Sequence, residues 1–238
     1  MKEKESRGWL TGPVWLAAFV LWTVLVMSVD VQAAGPNGSE IGFALFNVWF
    51  HQFTGVHMML YTVTDWLGLV PIFICMGFGG IGFLQQLKRR SLFQVDPDII
   101  LLGVYYVMVI IGYLFFEMVP INYRPVLING ILEASYPSST TLLVLSVMPT
   151  LKFQADRRSG SPLFKKMTTV FVLVFSAFMV TGRLISGVHW ATDIIGAVLL
   201  SAGLFFTYRS AVVLTDNKNS SSHREVKQEW SFMKNCRN

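Results

Sequence analysis

The chain has 238 residues, of which 53% are hydrophobic and only 14% charged, with a net charge of +5. Soluble domains carry about 25% charged residues, and no Lys or Arg stands between Arg7 and Lys88, so a soluble fold is excluded. The positive balance does not point to nucleic acid, because the basic residues sit in short runs between apolar stretches, as cytoplasmic loops of membrane proteins do; Cys75 and Cys236 alone make neither a disulfide framework nor a metal site.

About twenty predominantly apolar residues cross a bilayer as a helix. Six stretches qualify, at 13–29, 60–84, 99–119, 138–151, 167–180 and 193–213, the fourth and fifth being short. The expected fold is therefore all-α, a polytopic membrane bundle of six transmembrane helices. Residues 1–57 form a first helix and an outer loop, 58–214 the membrane core, and 215–238 a polar cytoplasmic tail expected to be disordered. Residues 1–33 also have the charged start and apolar core of a signal peptide, with Val31-Gln32-Ala33 as a cleavage site. An uncleaved first helix is the preferred reading, and both readings place Ala34 outside. Gly35, Pro36, Asn37 and Gly38 make a turn, and the amphipathic stretch 43–50 reads as an interfacial helix.

Orientation follows from the positive-inside rule. With both termini in the cytoplasm, every one of the 19 Lys and Arg residues lies inside except Arg124 and Arg183. An interfacial charge placed against the general bias is a functional candidate.

Three segments fall at this same outer face. They are Glu117-Met118-Val119-Pro120-Ile121-Asn122-Tyr123-Arg124-Pro125; Tyr136-Pro137-Ser138-Ser139-Thr140; and Gly182-Arg183, followed after five residues by His189 and after three more by Asp193. His189 and Asp193 share a helical face at a spacing of four. A carboxylate that fixes one imidazole nitrogen leaves the other free as a nucleophile. Arg124 and Arg183 provide planar forks suited to phosphate oxygens. Ser138, Ser139 and Thr140 open a helix, whose free N–H groups favour an anion. Each piece alone has an ordinary explanation: a helix cap for the serines and for Asp193, a backbone-bonded histidine for His189. Their order, spacing and shared face together make a phosphoryl-transfer constellation.

This set resembles the type-2 phosphatidic acid phosphatase superfamily of integral membrane lipid phosphatases, over about residues 60–213. That pattern is Lys, six residues, Arg-Pro; Pro-Ser-Gly-His; and Ser-Arg, five residues, His, three residues, Asp. Arg124, Pro125, Pro137, Ser138, Arg183, His189 and Asp193 match it. Glu117 stands where the lysine belongs, Ser139 and Thr140 replace Gly-His, and Gly182 replaces the third-motif serine. The resemblance implies that His189 attacks phosphorus, that Asp193 orients it, and that Arg124, Arg183 and Ser138 hold the phosphate, with no metal and no cofactor.

The departures bear on chemistry. In the family the second-motif histidine protonates the leaving oxygen, which Thr140 cannot do near neutral pH, and Glu117 adds a charge that repels phosphate. Three readings follow: a diphosphatase whose phosphate leaving group needs no proton; a phosphatase with another acid, Glu117 first, or Glu133, His51 or His57; or a protein that binds or transports a lipid phosphate without turnover. The preferred expectation is hydrolysis of a membrane lipid phosphate, with polyprenyl or other lipid diphosphates favoured, at the outer face of the cell membrane.

Overall fold

A computed structural model describes residues 10–91 and 94–235, with side chains through Lys218. The expectations for Lys2, Lys4, Arg7 and Cys236 lie outside these described parts. Among the described residues the chain is helical, with three isolated β-bridges in its loops. The helices are α1 (Thr11–Ser28), α2 (Ala44–Thr54), α3 (Met58–Leu67), α4 (Leu69–Arg89), α5 (Pro97–Met118), α6 (Ser139–Arg158), α7 (Pro162–Ile185) and α8 (Ala191–Asn235).

Five segments among the described residues are long and apolar enough to span a membrane: α1, α3 with α4, α5, α7, and α8 as far as Lys218. The sixth expected span corresponds to α6, which is more polar for a structural reason. It is packed among helices rather than against lipid, and buries Thr141, Ser146, Thr150 and Gln154 along with Leu142, Val144 and Met148. Two tyrosines of α5 serve it, Tyr105 donating to the Ser146 carbonyl at 2.8 Å and Tyr106 bonding Thr150 at 2.7 Å.

Two further differences from expectation are local. The second span is broken at Gly68 into α3 and α4. The tail expected to be disordered continues α8 as helix to Asn235.

Helix association in lipid depends on close packing and small residues rather than on hydrophobic transfer. In α1 and α8, Gly12 lies against Thr207 and Gly203 against Leu16, both too close for a Cβ. Phe19, Tyr105, Phe116, Tyr136, Leu142 and Leu200 fill the centre between α1, α5, α6 and α8. At the end remote from His189, Arg158 clasps Asp98 through two bonds of 2.9 and 2.8 Å. Arg89 pairs Asp96 at 2.8 Å and Arg157 pairs Asp216 at 2.7 Å, tying α4, α5, α6 and α8 into one basic end.

Helix α2 is amphipathic as expected. Leu45, Trp49 and Phe53 are exposed, while Asn47 is buried. Asn47 donates to Thr192 at 2.9 Å, and a His51 ring nitrogen bonds the Gly187 carbonyl at 3.1 Å, so this helix braces the α7–α8 loop.

Candidate active site

The loop between α5 and α6 supplies the first part of the site. Asn129 and Gly130 both have positive φ, at 52° and 79°. Such a pair closes a two-residue turn that suits a hairpin, and Ile128 and Ile131 exchange backbone bonds across it. The hairpin brings its two arms together below the turn. Arg124 N donates to Glu133 O at 3.0 Å and Ser135 N to Asn122 O at 2.9 Å. Arg124, Asn122 and Ser135 are thereby presented together, all buried.

The second part is the α7–α8 loop. Gly187 adopts φ +71°, and a Cβ there would lie 2.2 Å from the Gly55 carbonyl oxygen, so only glycine allows this turn against the 55–57 segment. The turn delivers His189 into the interior. Trp190 anchors it by donating from its indole to the Tyr123 carbonyl at 2.8 Å. Asp193, in the first turn of α8, accepts from the Trp190 backbone N–H at 2.9 Å, which caps the helix. It also accepts from Asn122 Nδ2 at 3.1 Å.

Asp193 does not touch His189 through a direct hydrogen bond. Their closest approach, Nδ1 to Oδ2, is 4.0 Å. The Ser135 hydroxyl stands between them, 3.0 Å from His189 Nδ1 and 2.5 Å from Asp193 Oδ2. The other ring nitrogen, Nε2, is buried and has no partner. Burial, and then the charges of Arg124 and Arg183, hold the His189 imidazole well below the ordinary histidine range, so it is neutral at pH 7.

Arg183, in the last turn of α7, is fully buried. Its Nη2 donates to Asp65 Oδ1 at 2.7 Å and also to the Thr140 hydroxyl. Its Nε and Nη1 are buried without partners, as are Nε and Nη1 of Arg124. Glu133 Oε2 lies 3.1 Å from Arg124 Nε as an ion pair, in a geometry that leaves that N–H unsatisfied. The Tyr61 ring lies near both guanidiniums, 5.9 Å from that of Arg124 and 4.8 Å from that of Arg183. Gly182, where the related motif has serine, admits α3: a Cβ there would meet Thr64 at 2.7 Å.

The other expected residues are placed as follows. Ser138 is buried, with its hydroxyl donating to Thr141 at 3.1 Å and its N–H to the Asp193 carbonyl at 3.2 Å. Ser139 and Thr140 line a groove of about 270 Å³ that runs from Asp65 along Leu69, Ile72, Val109 and Leu143. Glu117 is exposed on the last turn of α5, lining a small recess with Tyr113, Ser135 and Ser139. His57 bonds the Thr54 carbonyl at 2.9 Å, and His51 is held as described above. Nothing in the sequence marks Ser135, Asn122, Tyr61 or Asp65 as site residues.

Fold and site together define a helical membrane protein in which two buried arginines act on a buried imidazole that keeps one nitrogen unpaired. Residues 99–215 match the model of the PAP2 superfamily. This part of the chain belongs to that superfamily, the type-2 phosphatidic acid phosphatases, with altered first and second motifs. A solved structure, that of the first transmembrane PAP2 type phosphatidylglycerolphosphate phosphatase from Bacillus subtilis, has a TM-score of 0.56 and 16% identity, covering 87% of this chain and 96% of that one. At that identity the likeness concerns the fold. No curated protein sequence matches the chain.

Proposed function

We propose that the protein is a membrane lipid phosphatase that works through a phosphohistidine at His189 and favours lipid diphosphates. One observation carries this reading. Five buried polar atoms have no hydrogen-bond partner: His189 Nε2, and Nε and Nη1 of both Arg124 and Arg183, and both arginine charges act on the His189 imidazole. Buried donors left unpaired are costly, and these four fork donors with one lone pair fit a phosphoryl group presented to a nucleophile. In the first step Nε2 bonds to phosphorus as the bond to the leaving oxygen breaks. In the second, water attacks phosphorus, the N–P bond breaks, and inorganic phosphate leaves with the released proton going to solvent. The apolar groove that ends at Asp65, Ser139 and Thr140 suits a lipid chain.

The diphosphate preference rests on the leaving group. Thr140 has no proton to give near neutral pH, and its hydroxyl already accepts from Arg183. An expelled phosphate stabilises its own charge, whereas an expelled alkoxide needs protonation. The test is phosphate release by the purified protein from matched lipid monophosphates and diphosphates, with His189→Ala as control. Diphosphates should react faster by about 10²-fold, the lower end of what general acid catalysis contributes. Equal rates on both classes would reveal an acid elsewhere. No release from either, with phosphate-lipid binding retained, would favour a binding or transport role.

We also place the site at the outer face, with both termini in the cytoplasm. The supporting pattern is the basic end formed by Arg89, Arg157 and Arg158, opposite the end that holds His189. In a background without the native cysteines, Ser39→Cys should be labelled by an impermeant reagent from outside intact cells. Ser159→Cys should be labelled only after the membrane is opened. Labelling of both from one side would overturn this topology.

A further inference from the structure

We propose that Ser135 is a positioning residue that connects Asp193 to His189. The proposal rests on the phosphohistidine reading for its kinetic consequence, and on geometry for its existence. With Nδ1 and the carboxylate 4.0 Å apart, Asp193 has no direct hold on the imidazole. The Ser135 hydroxyl is within hydrogen-bond distance of both.

The polarity of this chain of bonds is fixed by chemistry. A carboxylate accepts and does not donate, so the single hydroxyl proton of Ser135 goes to Asp193 Oδ2. The serine oxygen then has only lone pairs to offer His189, so Nδ1 must carry the ring proton. That assigns the tautomer with Nδ1–H, which leaves Nε2 as the free, buried lone pair. When Nε2 takes up the phosphoryl group, the ring becomes a cation that keeps its Nδ1–H. No proton needs to move, because the positive charge is met by Asp193 through the polarised Ser135 hydroxyl.

Ser135 is itself built into place. It is buried, its N–H donates to the Asn122 carbonyl, and it precedes Tyr136, whose hydroxyl bonds Thr23 at 2.7 Å. Asn122 binds the other carboxylate oxygen of Asp193. The same hairpin thus holds Asp193 from one oxygen and reaches His189 from the other. Nothing in the three motifs marks this serine.

The experiment uses the full chain in lipid nanodiscs as the native protein and as Ser135→Ala, Ser135→Thr, Asp193→Asn and Ser135→Ala/Asp193→Asn, each checked for folding by thermal unfolding. Removing the hydrogen-bond partner that orients a metal-ligating histidine costs about 10–100-fold, and a loss of that order is expected for this histidine. Ser135→Ala should lower kcat by that amount with KM little changed, and Ser135→Thr should recover most of it. The double variant should be no slower than the slower single one, because the two residues act in series. If threonine does not fit, this non-additivity decides. Independently of turnover, nitrogen NMR of His189 should show Nδ1–H in the native protein and a shift toward Nε2–H in Ser135→Ala. Additive losses together with an unchanged tautomer would overturn the role of Ser135. A tautomer shift in a protein that forms no phosphoenzyme would keep the role and remove the phosphohistidine reading instead.

Discussion

Replacing Arg183 with alanine should reduce binding of a phosphate analogue such as vanadate by about 10²-fold or more. The estimate follows from the two unpaired, buried N–H groups this side chain offers, since hydrogen bonds involving a charge are worth about 1.5–3 kcal/mol each and about 1.4 kcal/mol is tenfold. The substitution has a second consequence. Asp65, now held by Arg183, would be left as an uncompensated carboxylate beside the site, adding repulsion to the lost attraction. Arg183→Lys keeps the charge but loses the fork, which serves Asp65, Thr140 and the pocket from one planar group, so rescue should be poor. Arg124→Ala should act in the same direction. Titration of vanadate against inhibition or intrinsic fluorescence, with unfolding temperature as the control for folding, measures this. Unchanged vanadate affinity in both folded alanine variants would assign the arginines to structure alone.

The second large effect concerns the missing acid. Thr140→His should raise kcat/KM on a lipid monophosphate by about 10-fold or more, and change diphosphate turnover little, because protonation helps the alkoxide far more than the phosphate leaving group. The position is well placed for this: Thr140 sits beside Arg183 and lines the apolar groove. The same arginine disfavours a charged imidazole, so the gain should be largest on the acid side of neutrality. Glu117→Lys is the companion substitution, since Glu117 shares a small recess with Ser135 and Ser139 and its charge disfavours a dianion there. Specificity constants for both substrate classes in the native, single and double variants check the prediction. Equal gains on both classes would mean that the new histidine acts on something other than the leaving group.

What could be read from sequence follows from which signals are local. Arg183, His189 and Asp193 lie within eleven consecutive residues, and helical spacing alone puts the last two on one face. Arg124 stood out because it breaks the distribution of charge. The apolar runs located the spans because lipid imposes a length, but α6 reads weakly, since a helix surrounded by other helices is free to carry Thr141, Ser146, Thr150 and Gln154. Asp65 was missed because its partner lies 118 residues away, and an aspartate at a helix end has too many ordinary explanations. Ser135 was missed for the same reason: its bond to Asp193 spans 58 residues, and a lone serine has no spacing to betray it. The Asn129-Gly130 pair is a local turn signal that the sequence analysis leaves unread, and its positive φ values are what bring Arg124 and Ser135 together. The continuation of α8 past Asp216 was not legible, because a polar sequence looks alike as tail and as helix.

The most direct test of the account is to trap the phosphoenzyme. The native protein is mixed with a lipid diphosphate carrying labelled terminal phosphate and quenched in alkali within the first turnover. Peptide mapping should then find the label on His189, as an alkali-stable and acid-labile phosphohistidine, absent from His189→Ala. Release of labelled phosphate by the native protein without any label on His189, or with continued turnover by His189→Ala, would contradict it.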